Sequence, residues 1–137
     1  MITFRYKEES LGIGKKSIKR PIADVFLQTH QNRWLEFHPY IDSGADLTMI
    51  PLSLGKLIGL EAGAGTIEQI GGIKGSVPVI YARRTLRIGN LTFSATIAWA
   101  LIEDVPPLLG RQDVFDSFDV TFKQRENKIL FIPPSTS

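Results

Sequence analysis

The 137-residue chain contains no cysteine, which excludes disulfides, thiolate metal ligands and thiol nucleophiles and fits a reducing compartment. Histidine is nearly as scarce. His30 and His38 lie on opposite parts of one hairpin-like stretch with no third ligand type nearby, so no metal site is expected. No apolar run approaches the roughly 20 residues of a membrane-spanning helix, and Met1 to Glu9 lack the apolar stretch of a signal peptide. The expectation is a soluble, cytoplasmic protein with no membrane partner. A net charge of +2 is too small to indicate a nucleic-acid surface, so no nucleic-acid partner is expected either. The cluster Lys15, Lys16, Lys19 and Arg20 reads as a solvated loop. Gly12, Gly14, Gly63 and Gly65 lack the strand-to-helix setting of a phosphate loop, and no cofactor is expected.

What is present suits one small globular domain, with 43% hydrophobic and 22% charged residues. Ile2, Phe4 and Tyr6 alternate with polar residues, the period of a half-buried strand. Glu8 to Lys19 reads as a mobile connection. Ile22 to Leu27 and Trp34 to Phe37 flank Gln31-Asn32 as a hairpin, with Trp34 and Trp99 both expected in the core. Pro51 to Ile58 suits a short helix stopped at Gly59. Thr66 to Ile70 and Ser76 to Tyr81 form the arms of a glycine-tipped hairpin. Thr85 to Ile88 and Leu91 to Ile97 form another around Gly89-Asn90, a favoured two-residue turn. Gln112 to Phe115 suits one helical turn, and Asp113, Asp116 and Asp119 a solvated acidic face. Phe118 to Phe122 and Ile129 to Ile132 complete the strands. Short strands with little helix predict an all-β, barrel-like fold. The expected organisation is an N-terminal strand and connection over 1–20, the domain over 21–132 and a polar tail over 133–137.

Asp42-Ser43-Gly44-Ala45 carries the chemistry. It follows the apolar run ending Tyr40-Ile41 and precedes Leu47-Thr48-Met49-Ile50. A carboxylate at the end of a buried strand must be hydrogen-bonded or shift its pKa. The Ser43 hydroxyl and the Gly44 amide are the nearest donors, and Gly44 admits a sharp turn and a close ligand backbone. Taken alone, Asp42 reads better as a turn cap. Two further segments follow in order: Ile70-Gly71-Gly72-Ile73 at the hairpin tip, then Pro106-Pro107-Leu108-Leu109-Gly110-Arg111.

That ordered set resembles the retropepsins, the retroviral-type aspartic proteases, over about Arg20 to Ile132. The resemblance implies a closed β-barrel with a glycine-tipped flap hairpin and one short helix, working as a two-fold homodimer. It implies that Asp42 is catalytic and that Ser43 and Gly44 support its loop. Ala45 and Asp46, the flap residues Ile70, Gly71, Gly72 and Ile73, and the pocket wall Val105, Pro106 and Leu108 would bind substrate. Arg111 would be structural, with Asp46 its natural partner. The chain departs from the family at Gln112, where Asn or Asp is common, and in the longer stretch before Pro21.

Peptide hydrolysis by carboxylates needs two of them sharing one proton, and aspartic proteases are the standard illustration of such split titration. No second Asp-Ser/Thr-Gly exists in the chain. A two-fold dimer would place Asp42 of each subunit at the axis. The leading expectation is therefore an aspartic endopeptidase, a homodimer acting on peptide or protein substrates. Its rivals are a retropepsin-like module that binds peptides or dimerises without cleaving, and a weakly supported polyanion-binding barrel. The strands Ile2 to Tyr6 and Ile129 to Ile132 are expected as the exposed edges where subunits pair.

Overall fold

Alternating apolar positions turn about half of the chain into strands. A computed structural model describes residues 1–14, 16–72 and 75–135. In order these form β1 (Ile2–Arg5), β2 (Lys7–Ser10), β3 (Ser17–Arg20), β4 (Val25–Gln28), β5 (Trp34–Phe37), β6 (Tyr40–Ile41) and β7 (Thr48–Ile50). A short helix, α1 (Leu52–Leu57), precedes β8 (Glu68–Gly72), β9 (Gly75–Ile88), β10 (Leu91–Ala100), β11 (Leu108–Leu109), β12 (Asp119–Lys123) and β13 (Lys128–Ile132). The all-β architecture expected from the sequence is what forms. The main sheet runs β5-β4-β9-β10-β7-β11-β6, with β8 paired to β9. It curls as a half-barrel ended by β5 and β6 and is not fully closed.

The long β9–β10 hairpin is the spine, turning at Gly89–Asn90 with Leu91 opposite Ile88. The end of β10 is buried on both faces. Ile97 and Trp99 join the main core, while Ala98 and Ala100 meet Val79 in a smaller apolar cluster with Met49, Ile70, Val77 and Val105 packed against it. That smaller cluster lies at the root of the β8–β9 hairpin. Helix α1 covers Trp99, whose indole N–H donates to the Leu52 carbonyl at 3.1 Å. Gly55 permits the contact, because a Cβ there would enter the indole ring. The close packing outweighs the roughly 1 kcal/mol that glycine costs inside a helix.

Beyond the unclosed barrel, four features differ from the sequence reading. The segment expected as a connection forms the ribbon β2–β3, with Glu9 opposite Ile18. Strand β13 is not an edge: it lies between β1 and β12, with Ile129 and Phe131 fully buried. The two alternate with Leu130 and Ile132, which puts every second side chain into the core and gives the strand both neighbours. Trp99 is core, but Trp34 is half-buried on end strand β5, where the Arg87 guanidinium stacks 4.9 Å from its ring. Asp113 is no solvated face. Its carboxylate accepts from the Thr96 amide at 2.8 Å and Arg83 at 3.1 Å, while Asp116 accepts from the Asp113 amide at 3.0 Å. The first two bonds fasten the turn after Gly110 to β10 and β9, and the third closes the turn itself. No described helix is long and apolar enough to cross a membrane.

Candidate active site

Strand β11 lies between β6 and β7, parallel to the first and antiparallel to the second. The loop joining β6 to β7, residues 42–47, must therefore arch over β11. Asp42 leaves β6 with its amide donating to the Leu109 carbonyl at 3.0 Å. The turn closes when the Ala45 amide donates to the Asp42 carbonyl at 3.2 Å. The Asp42 carboxylate then accepts the Gly44 amide at 2.9 Å, the donor the sequence suggested. Ser43, the other expected donor, is exposed and makes no hydrogen bond to Asp42 among the described residues.

The arch rests on the segment after β11. The amides of Arg111 and Gln112 donate to the Ala45 and Asp46 carbonyls, both at 2.9 Å. Below them the Gly110 amide donates to the hydroxyl of buried Thr48 at 3.1 Å. The Arg111 guanidinium pairs with the Asp46 carboxylate on the surface, the partnership expected of it.

The loop lines two hollows that share Leu108, Asp42 facing one and Gly44 to Leu47 the other. On one side a cleft of about 440 Å³ runs under the β8–β9 hairpin, lined by Ala45, Asp46, Met49, Ile70, Gly71 and Tyr81 among others. The hairpin pairs Ile70 with Val77 and Gly72 with Gly75, and Ile70, Gly71 and Tyr81 are its contributions to the cleft wall. Ile73, expected at its tip, lies outside the described residues. Val105 packs beneath the cleft against the apolar cluster rather than lining it. On the other side a hollow of about 410 Å³ holds Asp42 itself with Arg20, Tyr40, Pro106 and Leu108. Expected positions from three distant segments, Gly44 to Asp46, Ile70-Gly71 and Leu108, thus converge on the cleft, while Asp42 and Pro106 line the adjoining hollow.

Some of the lining was not singled out. Leu47, Met49 and Tyr81 face the cleft; the alternation of Leu47 and Met49 about buried Thr48 was the available signal. Glu9, read as part of a loop, accepts the Tyr40 hydroxyl at 2.7 and 2.9 Å and Arg20 Nε at 3.2 Å. The Glu9 hydrogen bond, with burial adding to it, pushes the Tyr40 phenol above its ordinary range.

This arrangement of strands is shared by solved structures. A retropepsin-like aspartic protease from Rickettsia conorii superposes with a TM-score of 0.68 and 13% identity, over 95% of this chain and 99% of that one. The EIAV protease, solved with an inhibitor, gives 0.54 and 21% identity, over 79% and 93%. The chain has the retropepsin fold. No family model and no curated protein matches its sequence. Within that fold, residues 44–47 and the β8–β9 hairpin both line the cleft of about 440 Å³.

Proposed function

We propose that the chain is an aspartic endopeptidase whose active site forms when two subunits bring their Asp42 carboxylates together. One observation carries the reading. Asp42, gripped by the Gly44 amide, lines a hollow that meets the cleft beside the β8–β9 hairpin at Leu108, in a chain that holds a single such loop. In the pair, the ionised carboxylate takes a proton from a water placed between the two. The protonated partner donates to the scissile carbonyl oxygen. A C–O bond forms, the C–N bond then breaks, and a proton passes to the leaving amine. The exposed Ser43 hydroxyl is available to brace the partner's loop, and the edge strands β1 and β12 offer backbone for pairing. The apolar lining of Met49, Ile70 and Leu108 favours hydrophobic side chains beside the cleaved bond. The protein would work in the cytoplasm, a reducing compartment that its lack of cysteine fits.

The test uses a peptide library with and without a statine-type inhibitor, for the wild type and Asp42→Asn. Wild-type cleavage should be blocked by the inhibitor, and Asp42→Asn should fold but not cleave. Specific activity should fall on dilution as dimers dissociate. Full specific activity from a demonstrated monomer would sink the reading. Binding without cleavage by a stable dimer would favour the non-cleaving peptide module.

A further inference from the structure

The hollow on the outer side of Asp42 is partly built by the ribbon β2–β3. Glu9 on β2 holds two of its wall residues at once. Arg20 Nε donates to Glu9 Oε2 at 3.2 Å, and the Tyr40 hydroxyl lies 2.7 and 2.9 Å from the two carboxylate oxygens. Arg20 and Tyr40 both line the hollow with Asp42, and its other walls, Pro21, Ile41, Pro106 and Leu108, are apolar. The Arg20 guanidinium makes no other hydrogen bond among the described residues.

We propose that Glu9 determines specificity: by compensating Arg20 and tethering Tyr40, it sets this hollow to take an apolar or aromatic substrate side chain rather than an acidic one. The proposal rests on the reading of the groove as a peptide site. Stability does not account for the arrangement, since each side chain of the Glu9–Arg20 pair is 42% exposed and such pairs contribute little. Their effect lies in the field at the hollow. With Glu9 present, the wall carries opposite charges in contact and a neutral phenol. Without it, a guanidinium that binds carboxylates in a fork would lose its one side-chain partner among the described residues, in a hollow lined otherwise by Tyr40, Asp42 and apolar walls, beside any substrate side chain entering there.

Glu9→Gln removes the charge but keeps the shape and one acceptor. The experiment uses peptides carrying Phe or Glu in turn at each position flanking the scissile bond. Cleavage is measured for the wild type and Glu9→Gln. Binding is measured by fluorescence anisotropy for the Asp42→Asn forms of both, which reads preference without catalysis. At one position the Phe-to-Glu preference should shift about tenfold toward Glu in Glu9→Gln at low salt, less at high salt. Glu9→Gln with Arg20→Met should return to the wild-type preference. An unchanged ratio overturns the proposal, as does equal weakening of both peptides with lost hydrogen-exchange protection in the ribbon, which would make Glu9 merely structural. Binding of neither peptide overturns it too. A shifted binding ratio with no cleavage by any form supports Glu9's role and overturns the peptidase reading alone.

Discussion

At Gly110 the main chain of Leu47 lies so close that a Cβ would run into its carbonyl and stand 2.8 Å from its nitrogen. Backbone on both sides of the contact leaves nothing flexible to yield. Gly110→Ala should therefore destabilise the fold by about 3 kcal/mol, the upper part of the range for overpacking, measured by urea denaturation. Arg111→Ala should behave differently. Its ion pair with Asp46 is exposed, 54% and 84% for the two side chains. The backbone bonds of Arg111 and Gln112 to the arch survive the substitution. A loss below about 1 kcal/mol is expected. A larger loss for Arg111→Ala than for Gly110→Ala would show that the charge, not the close packing, supports the Asp42 loop.

Among the elements, β13 decides whether the three-stranded sheet exists. It pairs with β1 over Ile2 to Arg5 and with β12 over Asp119 to Lys123. Phe131 also meets Phe4 and Phe118 edge to face, both at 5.4 Å between ring centres. Removing residues 129–137 thus deletes a central strand with two fully buried side chains, and should unfold the domain rather than merely loosen a dimer. Circular dichroism of the truncated chain checks this; a folded monomer would show β13 to be dispensable. Phe131→Ala should cost about 3–5 kcal/mol. For the proposed dimer, the edges available for pairing in this sheet are those of β1 and β12, whose outer sides have no partner strand among the described residues.

For the molecule as a whole, a charged contact ties the N-terminal ribbon to the β4–β5 side. The Asp24 carboxylate receives the Lys7 ammonium at 2.6 Å and His38 Nδ1 at 2.9 Å. Burial alone would raise its pKa, but the hydrogen bonds and charges of Lys7 and His38 outweigh that and hold it below the usual value. A depressed carboxylate contributes stability above its unfolded pKa and loses it as pH falls through the folded one. The side chain is 42% exposed, so the contribution is well below about 1 kcal/mol. Asp24→Asn should lower stability slightly at neutral pH, and the gap should close as pH falls through the acidic range below about 4. Urea denaturation against pH measures it; a gap that widens on acidification would contradict the sign.

The sequence by itself determined the local elements and the candidate chemistry. Period-2 alternation marked most of the strands, Gly89-Asn90 marked a turn, and Asp42-Ser43-Gly44 marked a carboxylate beside its own donor. These are properties of neighbouring residues, so they can be read along the chain. Tertiary structure decided which strand lies beside which. Nothing local says that β11 inserts between β6 and β7, that β13 is central, or that Asp113 fastens β10. Each depends on contacts between residues far apart in sequence. The ribbon was missed because Glu8 to Lys19 buries little and shows no apolar alternation; its pairing satisfies backbone groups rather than a core. Glu9 therefore looked like an ordinary loop charge until the fold set its carboxylate against Arg20 and Tyr40, beside Asp42.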